Sequence, residues 1–329
     1  MSFNFFCTPR QPVASEDLPP TIMLLNDLQV INVIGPDARK YLQGQLTVDI
    51  MALTKQEHIL CGHCNAKGKI LCDLRLFYQS RYLSYIIRRS VANNQITELK
   101  KYAVFSNLTI TTNHQVVILG VAGLNAANIL IDLFFPQLPN IIVPVITQKE
   151  TTIIYLAKPK DRYLLIMSIP IADKFLSVLK GHVILNDNKQ WIELEIEAGH
   201  PIINHANSGK LIPQAINLQA LGGICFHKGC YIGQEMIARA QYRGSNHRSL
   251  YWLKGTANHF PQENDYLEVK LGEKWHRTGN ILASIRMEDG SISIQAILNK
   301  NLEDNSIIRV CNDQNSILNI QKLPYLLVK

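Results

Sequence analysis

Residues 228–235 read Lys-Gly-Cys-Tyr-Ile-Gly-Gln-Glu, the centre of a longer run, HKGCYIGQEMIARAQYRG, at 227–244. Two glycines bracket a cysteine and a tyrosine, and a helix is expected to start near Gln234. A cysteine just ahead of a helix N-terminus, with His227 and Lys228 adjacent, sits in positive potential. Such a site favours the thiolate, the form that acts as nucleophile or soft-metal ligand. The alternative for Cys230 is a small hydrophobe buried at a loop–helix junction, but Lys228, the glycines and the polar flank favour a functional thiol.

Upstream lies WIELEIEAGHPII at 191–203, polar and Gly-punctuated where a core segment would be apolar. Glu193, Glu195 and Glu197 alternate, which fits one polar face of a strand or a scattered helical display. A solvated acidic face is expected for Glu193 and Glu195. Glu197, beside a glycine and closer to the cysteine loop, is the better site group. A carboxylate can accept two parallel hydrogen bonds from a ring amide and its exocyclic amine. Trp191 adds an aromatic plane.

Further out, 28–35 reads as a strand, and Pro36 and Asp37 suit the first turn of a helix through Leu46. Three β-like runs follow at 57–64, 69–79 and 81–89, the first two joined by the hairpin turn Asn65-Ala66-Lys67-Gly68. Helices are expected from Ser90 to about Val104, along a face of Leu124, Ala127, Ile131 and Phe134, and along Ile171, Phe175, Val178 and Leu179 up to Gly181. Strands at 151–157 and 162–168 lie between them. Strands and helices alternate without βαβ regularity, which argues α+β. From about Arg248 only short strands remain, punctuated by Gly and Asn, and predict a small all-β barrel or sandwich.

The chain has 329 residues, 47% hydrophobic and 18% charged, too apolar for a disordered protein and long enough for two or three domains. Lys and Arg number 33 against 26 acids, so the net +7 suits an anionic ligand or a nucleic-acid surface. The longest uncharged apolar-rich stretch, 115–131, is broken by Gly120, Gly123, Asn125 and Asn128, so no membrane helix is expected. Without a secretory start, and with seven cysteines, a reduced, cytoplasmic protein is expected. Cys61-Gly62-His63-Cys64 is a CxxC, but it ends a strand and enters a hairpin, unlike a redox site. Zinc would need Cys225 and Cys230 at a poor spacing, and no HxxxH, Walker-type or dinucleotide pattern occurs.

At these residues the chain resembles the YgfZ family of folate-binding, tRNA-modifying proteins, whose signature is the 228–235 segment. The resemblance also takes in LQGQLTVDI (42–50), NAKGK (65–69), LKKYAVFS (99–106), LGVAG (119–123), the 196–244 run and RTGNILAS (277–284), and so nearly the whole chain. The family is in turn similar to the T-protein of the glycine cleavage system, an aminomethyltransferase that uses tetrahydrofolate. The resemblance implies two interleaved α+β subdomains over residues 1–245 and a C-terminal antiparallel β-barrel over 246–329. It also implies a ring of three lobes with folate in the central channel. It further implies an accessory factor for iron–sulfur enzymes, including those that methylthiolate tRNA. Cys230 is the thiol such activity needs, a transient iron–sulfur ligand being one role open to it, with Lys228 beside it. Trp191, Glu197 and Tyr231 fall on the folate side, Glu197 matching the T-protein glutamate that grips the pterin.

Two departures stand out. A second family tryptophan associated with folate falls at Leu28. The T-protein's paired aspartates become Cys72 and Asp73, so one carboxylate survives for acid–base work. A one-carbon transferase built on Asp73 is the alternative reading. A direct RNA-binding module is less favoured, because the basic residues are scattered and no RNA-recognition motif occurs.

Overall fold

The chain lays one strand, Thr21–Leu24, into a first sheet, leaves to build a second, and then returns. The second sheet has five antiparallel strands, in the order His58–Cys64, Ile70–Gln79, Tyr82–Arg88, Leu28–Ile34 and Thr109–Asn113. Back in the first sheet, Val116–Ala122 pairs with Thr21–Leu24, Arg162–Ser168 with Val116–Ala122, and Thr151–Leu156 with Arg162–Ser168, all antiparallel. Val145–Gln148 adds one edge, and Ile184–Asn186, parallel to Thr21–Leu24, the other. Two α+β subdomains are thus interleaved. The computed structural model describes residues 7–244 and 246–327.

Each sheet buries one face under helices. Arg89–Lys101 covers the five-stranded sheet through Val91, Ala92 and Leu99. Ala126–Leu133 and Ile169–Leu179 cover the six-stranded one. The opposite faces look at each other across Val30, Phe77 and Ile86 from one sheet and Ile118, Ile154 and Leu164 from the other. The helix Asn188–Glu197 is wedged there, with Trp191 and Leu194 in the same core. Its far side packs on the C-terminal barrel, a closed six-stranded antiparallel cylinder. Three lobes therefore meet around this one helix.

The hairpin forms as the residue types demand. Gly68 takes φ +68° and its N–H donates to the Asn65 carbonyl at 2.9 Å. The barrel follows the expected strands, and Ile317–Gln321 closes it against Arg248–Thr256. Helix faces need correction. Ala126, Leu130 and Phe134 are buried, whereas Leu124 and Ile131 are exposed, and Ala172 replaces Val178 on the buried face of Ile169–Leu179. In the first of these helices Asn128 and Asp132, one turn apart, mark the exposed side, and the buried Ala126 and Leu130 lie opposite them. Ser245, at the expected domain boundary, lies outside the described residues.

Candidate functional site

Gly233 ends the 228–233 loop at φ +81°, and a Cβ there would lie 2.5 Å from the Asn65 carbonyl oxygen. Only glycine allows the loop to settle on the hairpin in this way. The helix Gln234–Tyr242 starts directly after it, as expected. Tyr231 is buried in an apolar cluster with Leu60, Cys64 and Ile237, and the Ile232 N–H donates to the Gly44 carbonyl at 3.1 Å. Lys228 is buried as well. Its ammonium donates to the carbonyls of Gln43 (2.5 Å), Leu46 (2.9 Å) and Val48 (2.7 Å) and stands 5.0 Å from the Tyr231 ring centroid.

All three ammonium protons are thereby committed. Burial brings the Lys228 pKa down to about 8. The side chain clamps residues 43–48 under the loop, and the residue two places on, Cys230, stands exposed above them. Tyr231 presents no free ring plane, being largely enclosed.

A second constellation lies between the sheets, in a cavity of ≈ 50 Å³. Its walls carry Leu28, Asp73, Arg75 and Arg88 from one lobe, Leu164 from the other, and Trp191 and Glu195 from the intervening helix. Trp191 fits because position 120 is glycine: a Cβ there would lie 2.4 Å from the indole Cε3. The Arg162 guanidinium stacks 4.5 Å from the ring centroid. Asp73 Oδ1 is buried without a hydrogen-bond partner, and burial raises that carboxyl to about 6 despite the nearby Arg88.

Glu193 and Glu195 are not a solvated face. Successive alternate residues on a helix point roughly 200° apart, so the three glutamates split between two sides. Glu195 faces the cavity and pairs with Arg162 at 2.8 Å and His200 at 3.3 Å. Burial pushes its carboxyl up, but Arg162 and His200 outweigh burial and hold it far below the usual range. Glu193 and Glu197 look the other way. Glu197 accepts the Ser15 N–H at 3.1 and 3.3 Å and is not on the cavity wall, while burial raises its pKa. Glu193 is buried with both oxygens unpaired, and burial beside Glu197 raises it to about 8.

Arg75 donates to His58 Nδ1 at 3.0 Å, and His58 Nε2 meets the Tyr155 carbonyl at 2.9 Å, tying one sheet to the other. Burial, with Arg75 alongside, lowers His58 to about 3, so it stays neutral. The structure thus brings together Asp73, Trp191 and Leu28, adds Glu195, Arg75 and Arg88, and leaves Glu197 outside. Cys230, Lys228 and Tyr231 form their own site. Leu60 joins the two, since it lines the cavity and packs in the Tyr231 cluster.

The CxxC has neither a redox nor a metal geometry. Cys61 joins the core under the Arg89–Lys101 helix and Cys64 the opposite one, and burial pushes both thiols up. Cys72 turns into the same core as Cys61, away from the cavity. Among the described residues, no group of three or more His, Cys, Asp or Glu side chains is placed to hold a metal ion. None of the described helices is long and apolar enough to cross a membrane.

Two interleaved α+β lobes and a closed barrel meeting around a tryptophan-bearing helix define a T-protein-like fold. The structure is similar to the crystal structure of the glycine cleavage system aminomethyltransferase T from Bartonella henselae, with a TM-score of 0.73 at 16% identity, covering 95% of this chain and 87% of that one. Residues 246–313 match the family model described as YgfZ, beta-barrel domain. The "tRNA-modifying protein YgfZ" of Serratia proteamaculans (strain 568) is 47% identical over 329 residues, 100% of this chain and 99% of that one. Its namesake from Escherichia coli O127:H6 is 47% identical over 325 residues, 99% of each. The chain belongs to the YgfZ family.

Proposed function

We propose that this protein acts in tRNA modification as a cytoplasmic, folate-binding accessory factor, holding tetrahydrofolate between its lobes and supporting iron–sulfur enzymes such as tRNA methylthiotransferases through Cys230. The observation that carries the folate part is the buried, unpartnered Asp73 oxygen in a cavity walled by the Trp191 ring. A pterin offers a flat ring to stack on the indole and N–H groups to donate to Asp73. Bound there, the folate would supply a one-carbon carrier. Asp73 would take or hold a proton at its Oδ1 atom, and Trp191 would orient the ring. With Glu197 off the cavity wall and Glu195 already paired to Arg162 and His200, the pterin-facing acid of this reading is Asp73.

Because Asp73 titrates near 6 and its anion is the acceptor, tetrahydrofolate affinity is expected to fall as pH drops through 6. Calorimetry between pH 5 and 7.5 would measure this, and a flat profile would remove Asp73 from the site. The Cys230 part is tested by mass spectrometry of bulk tRNA nucleosides from a deletion strain carrying Cys230→Ala. Methylthiolated nucleosides should stay depleted, and full restoration would make the thiol dispensable.

The transferase alternative rests on the same Asp73, a carboxyl able to exchange a proton near neutral pH. Cys72 does not obstruct it, because that thiol faces the other core. Turnover of a one-carbon-loaded folate with an aminomethyl donor would establish this reading, and its absence would retire it.

A further inference from the structure

The inner cavity, at ≈ 50 Å³, is far smaller than the roughly 300–1,000 Å³ of ordinary ligand sites. A second space of ≈ 500 Å³ opens between the five-stranded lobe, the central helix and the barrel. It is bounded by Asp27, Arg88 and Arg89 of the five-stranded lobe, Ile192 of the central helix, and Phe260, Glu263 and Ser284 on the barrel side. Among the described residues, Arg88 alone lines both spaces.

Arg88 is tied down where the two meet. It ends the Tyr82–Arg88 strand opposite Leu28, and its Nη1 contacts Asp27 Oδ2 at 2.6 Å. The Arg88 side chain is 13% exposed and that of Asp27 28%. The partners are therefore unequal. Asp27 can return to water cheaply, whereas Arg88, stripped of its carboxylate, would remain a largely buried charge.

Resting on the folate reading, we infer that the Arg88–Asp27 pair is a selective latch between the two spaces: a ring enters the inner cavity when the ligand's own anionic tail, lying in the outer groove, replaces Asp27 on Arg88. The selected class is a pterin-like heterocycle bearing a carboxylate tail. The same ring without a tail must break the pair and leave Arg88 uncompensated. Arg89 stands on the groove wall as a second basic group, although its Nε already donates to the Asn26 carbonyl at 2.6 Å.

The test is calorimetry on the full-length protein with two probes, tetrahydrofolate and 6-methyltetrahydropterin, in wild type, Arg88→Met and Asp27→Asn. The benzoyl part of the tail adds contacts of its own, so the readout is the change in preference between the probes, as in a double-mutant cycle. Losing one charge-assisted pair should cut the preference for tetrahydrofolate at least tenfold in Arg88→Met. Asp27→Asn, which weakens the latch but keeps Arg88, should bind both probes severalfold more tightly. An unchanged preference in Arg88→Met, with tetrahydrofolate still bound by wild type, would overturn the latch and leave the folate reading standing. Failure of wild type to bind either probe would overturn the folate reading, and the latch with it. Should Arg88→Met not fold, Arg88→Lys keeps the charge without the fork, and an intermediate preference is expected; wild-type preference there would count against the latch.

Discussion

The Cys230 loop and the cavity between the lobes solve opposite problems. In the loop the thiol proposed to act is exposed and its support is buried, with Lys228 gripping three carbonyls beneath it. At the cavity the candidate groups themselves are buried, and Glu195 is held by Arg162 of the facing sheet while Arg75 reaches across through His58. Stability and the proposed chemistry are therefore separable at the loop, while at the cavity the residues proposed to bind lie among those that hold the lobes together.

The hardest way to break that contrast is Lys228→Met. It would leave three carbonyls without their donor, at a cost of about 3 kcal/mol or more, measurable by urea unfolding. A loss below about 1 kcal/mol would mean that the clamp is not structural. Next comes Gly120→Ala. Its Cβ would press on the Trp191 ring, so a destabilisation of roughly 1–3 kcal/mol is expected. Tetrahydrofolate affinity should fall with it, and wild-type affinity would show that the indole plane does not contribute.

A smaller effect tests the far side of the same helix. The folded pKa of Glu193, about 8, stands above its ordinary 4.5, so the native state holds this proton more tightly than the unfolded chain. The stability involved is fully present below pH 4.5 and is lost as pH rises toward 8. Glu193→Gln should flatten this slope and raise the melting temperature at pH 8 by several degrees, with little change at pH 5. Smallest of all is Cys230→Ala, whose melting temperature should match wild type because the exposed thiol supports no packing. A marked drop would move Cys230 from the chemistry to the scaffold.

Much of this was legible in the residues. The Asn65–Gly68 turn, the start of the Gln234–Tyr242 helix and the all-β C-terminal region follow from short-range chemistry, each set by glycine conformation or by alternation along a strand. Trp191 and Asp73 could be singled out, but their convergence could not, since it requires two sheets to face each other across a helix inserted from a later part of the chain. Glu195 was misread for the same reason. Its partners Arg162 and His200 come from a strand and a loop on either side of that helix, and no local pattern announces that a carboxylate, a guanidinium and an imidazole will share a buried site. The face of Ala126–Leu133 failed differently: the expected apolar row began at Leu124, which lies before the helix, and ran beside Asn128 and Asp132, the polar pair that marks the exposed side.

The central claim is that vitamin binding and thiol chemistry belong to two sites on one scaffold. It is met most directly by titrating tetrahydrofolate into Asp73→Asn and Cys230→Ala side by side. At least a tenfold weaker Kd for the first, with an unaltered Kd for the second, is the result the account predicts. Wild-type affinity in Asp73→Asn, or lost affinity in Cys230→Ala, would contradict it.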